Sequence, residues 1–201
     1  MNDKMIYVKS FPAPEIKRSE VLRYTGTSEA SDEINKLIDE CITEAEKVLN
    51  YKVCYRVFDI KILESAVDLG FSRTSSRSLS KMLYGSSKIL VFCATVGAGI
   101  DRLIAKCSVT SPARTVVLQA LGSERIETLC DMFCDEIRRG AEKQGNTITR
   151  RFSPGYGDLP IELQKDIFAA LECSKMIGVS LGDNLFMTPT KSVTAILGIE
   201  M

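Results

Sequence analysis

Apolar and polar positions follow one another along the chain in a pattern that predicts both strands and helices. The apolar run Lys88–Thr95 is typical of a buried strand, and the alternation in Tyr51–Leu63 predicts a strand in a half-buried sheet. Apolar residues at helical spacing predict one long helix over Ser111–Gln144, or two in line around Gly122, ended by Gly145. Since no repeat or low-complexity linker interrupts this order, we expect a compact α+β domain.

Shorter segments complete the predicted order of elements. Strands are predicted at Met5–Lys9, Thr147–Arg151, Ile177–Leu181 and Ser192–Ile199. Helices are predicted at Glu15–Arg23, Ser76–Tyr84 and Ile100–Lys106. Another helix is predicted to follow a cap at Thr27 or Ser28. The last predicted helix runs from Pro160 to about Cys173, with Asp158 or Leu159 as its cap. We expect residues 1–50 to form an N-terminal helical segment, either a separate lobe or continuous with a core of residues 51–201.

The predicted long helix has two contrasting faces. One is apolar and consists of Leu121, Leu129, Phe133 and Ile137. The other is charged and consists of Glu124, Glu127, Asp131, Asp135 and Arg138. A face of this kind is usually solvated, so we expect these charges at the surface.

Charge and composition exclude several classes of function. The chain has 26 basic and 26 acidic side chains, so no basic surface indicates binding to nucleic acid or to an anionic membrane. No apolar run approaches the ~20 residues of a membrane-spanning helix, and no apolar signal region follows Met1. We therefore expect a cytoplasmic protein with neither a nucleic-acid nor a membrane partner.

Cysteine and histidine content limits the chemistry further. The seven cysteines are expected to be reduced, and Cys130 and Cys134, four residues apart on a helix, either share a metal or act as small buried hydrophobes. We favour the second interpretation and expect no metal. The sequence contains no histidine, which excludes Ser-His-Asp and Cys-His catalysis and every histidine-ligated metal site.

The turn Val96–Gly99 follows the apolar strand and has a Gly-x-Gly pattern. A strand, a glycine turn and a helix in this order occur in dinucleotide-binding folds, but Arg102 stands where the third glycine of that pattern belongs. Two interpretations stay open, namely nucleotide binding and close backbone approach, and the second is favoured.

The segment Arg151–Pro160 is the strongest indication of a binding site. Its two prolines and two glycines favour a shaped loop over a helix or a central strand. Arg151 at its start offers a planar fork of donors for a carboxylate or phosphate. The segment therefore predicts a small-molecule site, although Arg151 could instead pair with an acidic residue in a simple tight turn.

These residues resemble the activation domain of cobalamin-dependent methionine synthase, in particular its stand-alone bacterial form. The resemblance spans roughly residues 88–199 and is most specific in the Arg-x-x-Pro-Gly-Tyr core of the loop. The other matching pieces are Thr95–Gly97, the long acidic helix through Glu127, Gln164, Lys175–Val179 and Pro189–Val193. The resemblance implies a mainly antiparallel twisted sheet with long helices.

The resemblance also implies a site for S-adenosylmethionine. It places Arg151 on the ligand, the backbone of Phe152, Ser153 and Pro154 alongside it, and Tyr156 at the cobalamin of a partner protein. Glu127 falls where an acidic residue balances the positive charge of the ligand. Gly155 and Gly157 serve the backbone geometry of the loop.

By the same resemblance, the protein is a reactivation factor for cobalamin-dependent methionine synthase, and belongs to methionine biosynthesis. It would position the methyl group of S-adenosylmethionine for reductive methylation of cob(II)alamin on the partner's cobalamin-binding domain, with an electron from a flavodoxin- or ferredoxin-type reductant. The alternative is a non-catalytic docking module or chaperone for a corrinoid protein. The family's downstream pair of tyrosines that contacts the ligand has no match here, and this favours the alternative.

Overall fold

The computed structural model describes residues 5–26 and 31–200. Seven helices lie in these ranges: α1 Arg18–Thr25, α2 Asp32–Glu46, α3 Arg77–Met82, α4 Gly99–Cys107, α5 Pro112–Glu142, α6 Leu163–Leu171 and α7 Cys173–Ile177. The long strands are β1 Tyr7–Ser10, β2 Lys52–Asp59, β6 Ser86–Thr95 and β10 Ser192–Glu200. The two-residue strands are β3 Lys61–Ile62, β4 Val67–Asp68, β5 Arg73–Thr74, β7 Thr147–Ile148, β8 Ser180–Leu181 and β9 Met187–Thr188.

A five-stranded antiparallel sheet forms the middle of the fold. Its strand order is β1-β2-β6-β10-β7, and every neighbouring pair is antiparallel. The remaining short strands pair in two small sheets, β3-β4-β5 and β8-β9. The predicted α+β class with a mainly antiparallel sheet is therefore confirmed.

Both faces of the sheet are covered, which explains the uninterrupted apolar run of β6. Leu90, Phe92 and Ala94 point into the core shared with α2, α4 and α5. Ile89 and Val91 point into a second core on the opposite face, which includes residues of α3, α6 and α7. Successive side chains of a strand point to opposite faces. In a strand buried on both sides every side chain therefore enters a core, and polar residues do not alternate with apolar ones.

The N-terminal elements join the same structure. β1 pairs with β2, and Val21 of α1 and Ile38 of α2 are buried in the core against α5. The division of the chain at residue 50 remains a prediction. Ser31 caps α2 by accepting a hydrogen bond from the backbone N–H of Ile34, whereas the predicted caps Thr27 and Ser28 lie outside the described residues.

Four details predicted for the C-terminal part are wrong. The helix expected from Pro160 begins at Leu163 and breaks at Glu172, which has a φ of 47°, so α6 and α7 are separate. Ile177 ends α7 and does not begin a strand. Neither Asp158 nor Leu159 caps α6, because Glu162 stands at that position.

The expectation that Glu124 lies in a solvated face is also wrong. Glu124 is 1% exposed, and the adjacent Arg125 is 0% exposed. The Arg125 guanidinium forms an ion pair with the Glu124 carboxylate, and its Nη1 and Nη2 donate to the backbone carbonyls of Pro14 and Glu15 at 2.6 and 2.8 Å. The Thr128 hydroxyl donates to Glu124 Oε1 at 2.8 Å. The pair is therefore hydrogen-bonded and fastens the N-terminal segment to α5.

All seven cysteines are free and buried. Burial raises the pKa of Cys134 and of Cys41 to about 11, so both remain protonated thiols at neutral pH. Among residues 5–26 and 31–200, no cluster of cysteine and acidic side chains has a metal-binding arrangement. In the same ranges, no helix combines the length and apolar character needed to cross a membrane.

The Gly-x-Gly turn serves close backbone approach. A Cβ atom at Gly99 would lie 2.2 Å from the carbonyl oxygen of Val48, so only glycine fits where α4 begins. Gly97 has a φ of 82° and lies against Asn50, whose N–H donates to the carbonyl of Val96. The turn therefore joins the end of β6 to the segment after α2.

Arg125→Met should lower the free energy of unfolding by about 3–5 kcal/mol, because Glu124 would stay buried without its partner. Urea denaturation at neutral pH measures this loss. Arg138→Met is the matched control, since Arg138 pairs with Asp135 at the surface of the same helix and its loss should cost less than about 1 kcal/mol. Equal losses in the two variants would contradict a structural role for the buried pair.

Candidate functional site

A cleft of about 620 Å³ opens where the loop Arg151–Pro160 passes the beginning of β10. α5 lines it on one side, α6 and β9 line it on another, and β10 forms its floor. The lining residues are Glu127, Arg150, Arg151, Phe152, Ser153, Pro154, Tyr156, Gly157, Gln164, Met187, Ser192, Val193 and Thr194. Of the eight predicted site residues, seven line this cleft, and Gly155 lies in its loop.

The beginning of β10 is held by two polar contacts. The Thr190 N–H and hydroxyl both donate to the Asp101 carboxylate of α4, at 2.7 and 2.6 Å. The Ser192 hydroxyl donates to the carbonyl of Pro189 at 2.8 Å and lies 2.9 Å from the Thr95 hydroxyl of β6. These contacts therefore fix the first residues of β10, the strand that forms the floor of the cleft.

The loop enters the cleft as a short extension of the sheet. Phe152 and Ile196 exchange both backbone hydrogen bonds at 2.9 Å, as an antiparallel pair does. Pro154, two residues later, has no N–H with which to continue this ladder. The chain therefore leaves β10 at Pro154, and the cleft opens at this point.

Two glycines let the loop turn back on itself. Gly155 has a φ of 88°, and its N–H donates to the carbonyl of Leu159 at 2.9 Å. Gly157 has a φ of 57°, and a Cβ atom there would lie 3.2 Å from the Ser78 hydroxyl. Leu159, only 2% exposed, anchors the end of the turn in the second core.

Asp158 holds the loop to α3. Its carboxylate accepts hydrogen bonds from the Ser76 hydroxyl at 2.5 Å and from the backbone N–H groups of Arg77 and Ser78 at 2.8 and 3.1 Å. The Ser76 hydroxyl and these two N–H groups hold the pKa of Asp158 at about 2. Asp158 therefore caps a helix 80 residues earlier in the chain, and not the one that follows it.

Arg151 and Glu127 form an ion pair at the side of the cleft. Arg151 Nη2 donates to Glu127 Oε2 at 2.6 Å and to Asp131 Oδ1 at 3.3 Å. The guanidinium is half-buried, and burial opposes its charge, yet the carboxylates of Glu127 and Asp131 raise the pKa of Arg151 above its ordinary value. Both bonds use Nη2, so the Nε and Nη1 donors of the guanidinium take no part in them.

Tyr156 lies at the rim of the cleft and is 69% exposed. Its backbone N–H donates to the carbonyl of Ser153 at 3.2 Å, so the turn fixes its position while its ring reaches solvent. Phe186, next to the cleft-lining Met187, is also strongly exposed. Exposed aromatic side chains beside a cleft are typical of a surface that contacts a partner.

The floor of the cleft contains polar groups that the sequence did not indicate. Gln164 is 6% exposed and Thr194 is 2% exposed, and both line the cleft. Within residues 5–26 and 31–200, neither Gln164 Oε1 nor Thr194 Oγ1 has a hydrogen-bond partner. Burial of such an atom without a partner costs free energy, and the hydroxyls of Ser86 and Ser87, outside the cleft, are in the same condition. Gln164 occurs in the matching segments, but nothing in its spacing predicts burial.

The arrangement of these groups limits the kind of ligand that fits. The Arg151 and Glu127 side chains offer a cation and an anion together, which suits a zwitterion such as an α-amino acid. The floor offers neutral donors and acceptors, and Phe152, Val193 and Met187 offer apolar surface. A ligand with an amino-acid end and a flat, polar-edged heterocycle matches all three.

The fold and the cleft together define an α+β domain with a polar cleft beside its central sheet. Comparison with family models finds no match, and comparison with curated proteins finds no relative. Among solved structures, the chain is similar to the MetH reactivation domain bound to AdoHcy, S-adenosylhomocysteine, with a TM-score of 0.73. The two are 14% identical, and the alignment covers 98% of this chain and 79% of the other. This likeness establishes the fold expected from the sequence.

Asp158→Asn should destabilise the protein at neutral pH but have little effect near the folded-state pKa of about 2. Since the ordinary pKa of an aspartate is ~3.9, the unfolded chain binds more protons between the two values, and the stabilisation by Asp158 is lost as the pH falls through this window. Urea midpoints of both proteins across this range measure the difference. The exposed Asp183→Asn is the control, and a difference that does not vary with pH would contradict the assigned role.

Proposed function

We propose that the protein binds S-adenosylmethionine in this cleft and acts as a reactivation factor for cobalamin-dependent methionine synthase. The observation that carries the proposal is the Arg151–Glu127 pair beside a cleft with unpartnered polar groups, in the fold of a domain that binds S-adenosylhomocysteine. S-adenosylmethionine supplies an electrophilic methyl group on a sulfonium. The residues of this chain bind and orient that ligand.

The ion pair suits the amino-acid end of S-adenosylmethionine. The ligand carboxylate binds the guanidinium of Arg151, and the ligand ammonium, or the nearby sulfonium, faces the carboxylate of Glu127. Each side chain therefore keeps an opposite charge beside it when the ligand enters. The turn built by Pro154, Gly155 and Gly157 holds the loop backbone along the ligand.

The exposed rim is proposed to receive the partner. Tyr156 stands where the cobalamin-binding domain of methionine synthase, or of a related corrinoid protein, would cover the cleft and exclude water. One electron from a flavodoxin- or ferredoxin-type reductant and the methyl group of S-adenosylmethionine convert cob(II)alamin to methylcobalamin and release S-adenosylhomocysteine. No general base is required, which agrees with the absence of histidine. A cytoplasmic location and a place in methionine biosynthesis belong to the same proposal.

The second candidate is a docking module or chaperone for a corrinoid protein that delivers no methyl group. The exposure of Tyr156 and Phe186 at the rim favours it, because aromatic side chains are enriched in protein interfaces. The observed pairing of Arg151 with Glu127 is also compatible with a loop that holds no ligand. Ligand binding separates these candidates.

Arg151→Ala should weaken binding of S-adenosylmethionine by more than tenfold, which corresponds to about 1.5–3 kcal/mol for a charge-assisted hydrogen bond. Calorimetric titration measures the affinity, and circular dichroism confirms that the variant is folded. Arg139→Ala, which removes the same charge from an exposed position of α5, is the control and should bind as the wild type does. Equal affinity in both folded variants would remove Arg151 from the site.

Tyr156→Phe should leave S-adenosylmethionine binding unchanged and slow the formation of methylcobalamin on a partner domain. The reason is that the ring lies at the rim, where the partner approaches, and not on the floor. Calorimetry gives the affinity, and the visible spectrum of the cobalamin gives the rate. A parallel loss of ligand affinity would contradict a partner-facing role.

A further inference from the structure

A second cavity lies between α3 and the turn that joins β3 to β4. Its volume is about 630 Å³, and among the described residues none lines both this cavity and the cleft. We call it the serine pocket, because Ser65, Ser75, Ser76 and Ser80 are among its lining residues. What it binds is therefore independent of the ligand proposed for the cleft.

The side of α3 that lines the serine pocket carries two positive charges. Arg77 and Lys81 are four residues apart, so both lie on one face of the helix. Ser80 and Tyr84 extend the same face and also line the pocket. Leu79, on the other side of α3, is buried in the second core. The packing of Leu79 therefore directs the two cations toward the cavity.

No carboxylate neutralises these cations. Among residues 5–26 and 31–200, neither Arg77 nor Lys81 forms an ion pair. Glu64 also lines the pocket, on the turn that the Leu63 N–H closes by donating to the Ala66 carbonyl at 2.8 Å. Positive charge therefore exceeds negative charge in the pocket, and an anion is the favoured ligand.

Hydroxyl groups of the pocket are open to such an anion. The Ser76 hydroxyl is already engaged, because it donates to Asp158 at 2.5 Å. The other three hydroxyls, of Ser65, Ser75 and Ser80, donate to no protein group in the part of the chain that the structure describes. Ser65 and Ser75 are exposed and Ser80 is half-buried, so a ligand can reach them. Each can donate one hydrogen bond to an anionic oxygen.

We propose that the serine pocket binds the phosphate group of a small organic phosphate monoester. The phosphate has three strong acceptor oxygens, enough to meet Arg77, Lys81 and the serine hydroxyls together, whereas a carboxylate has two. Leu63 and Tyr84, which are 44% and 81% exposed, offer apolar surface to the organic part. A nucleic acid suits the pocket less well, because the balanced charge of the chain provides no continuous basic surface for a polyanion.

The test titrates the protein with phenyl phosphate, inorganic phosphate and benzoate by calorimetry at one ionic strength. Phenyl phosphate should bind saturably and at least about tenfold more tightly than benzoate, which has one negative charge and two acceptor oxygens. Inorganic phosphate should bind at least about threefold more weakly than phenyl phosphate, because it covers no apolar surface. Arg77→Gln and Lys81→Gln should each weaken the binding of phenyl phosphate by about tenfold or more. Arg77→Gln keeps the backbone N–H that donates to Asp158, so the loop stays fastened to α3.

Lys165→Gln is the matched control, because it removes the same charge from an exposed position of α6 and should bind as the wild type does. Glu64→Gln removes the opposing charge and should tighten the binding of phenyl phosphate by about threefold. The assignment is overturned if the wild type binds phenyl phosphate no more tightly than benzoate or inorganic phosphate. It is also overturned if both cation variants, shown by urea midpoints to be folded, bind as Lys165→Gln does. Titration with S-adenosylmethionine reports on the cleft separately, so failure of this inference leaves the proposed function standing.

Discussion

The buried ion pair of Glu124 and Arg125 is the constraint on which the arrangement of the molecule depends. The pair lies within a 31-residue helix, α5, and hydrogen bonds from Arg125 join that helix to the carbonyls of Pro14 and Glu15. Rotation of α5 about its axis would expose the two charges or separate them from their hydrogen-bond partners. Each residue of a helix turns by about 100°. Fixing Arg125 in the core therefore also fixes the direction of Glu127, which forms one side of the cleft.

The cleft itself results from an interrupted strand pairing. The loop follows β10 as far as the Phe152–Ile196 pair and departs at Pro154, and Asp158 then fastens it to α3. Its far end is thus held by a helix from a distant part of the sequence. A charged pair at the side and neutral polar groups on the floor follow from this geometry, because α5 and the loop provide the first, and α6 and β10 provide the second.

The sequence predicts those features whose causes are local. The β6 run and the length of α5 are examples. The loop is another, since proline fixes φ and lacks an N–H, and glycine admits a positive φ, wherever they occur. The charged stripe predicts that Glu124 faces solvent, because helical spacing does not show that the adjacent Arg125 is buried with it. Gln164 and Thr194 look like ordinary surface residues, and only the packing of α6 and the departure of the loop reveal them. The assigned ligand roles of the loop residues remain predictions.

The proline that opens the cleft has a second consequence, for self-association. An uncovered sheet edge is a template for a strand from another chain, which is a common route to aggregation. Here the edge at Thr194 is recessed behind the loop, and the Thr194 side chain is almost fully shielded. An extended polypeptide strand could pair with this edge only after the loop had left it. Pro154 therefore ends the pairing of the loop with β10, while the loop itself covers the strand edge and protects it against intermolecular β-sheet formation.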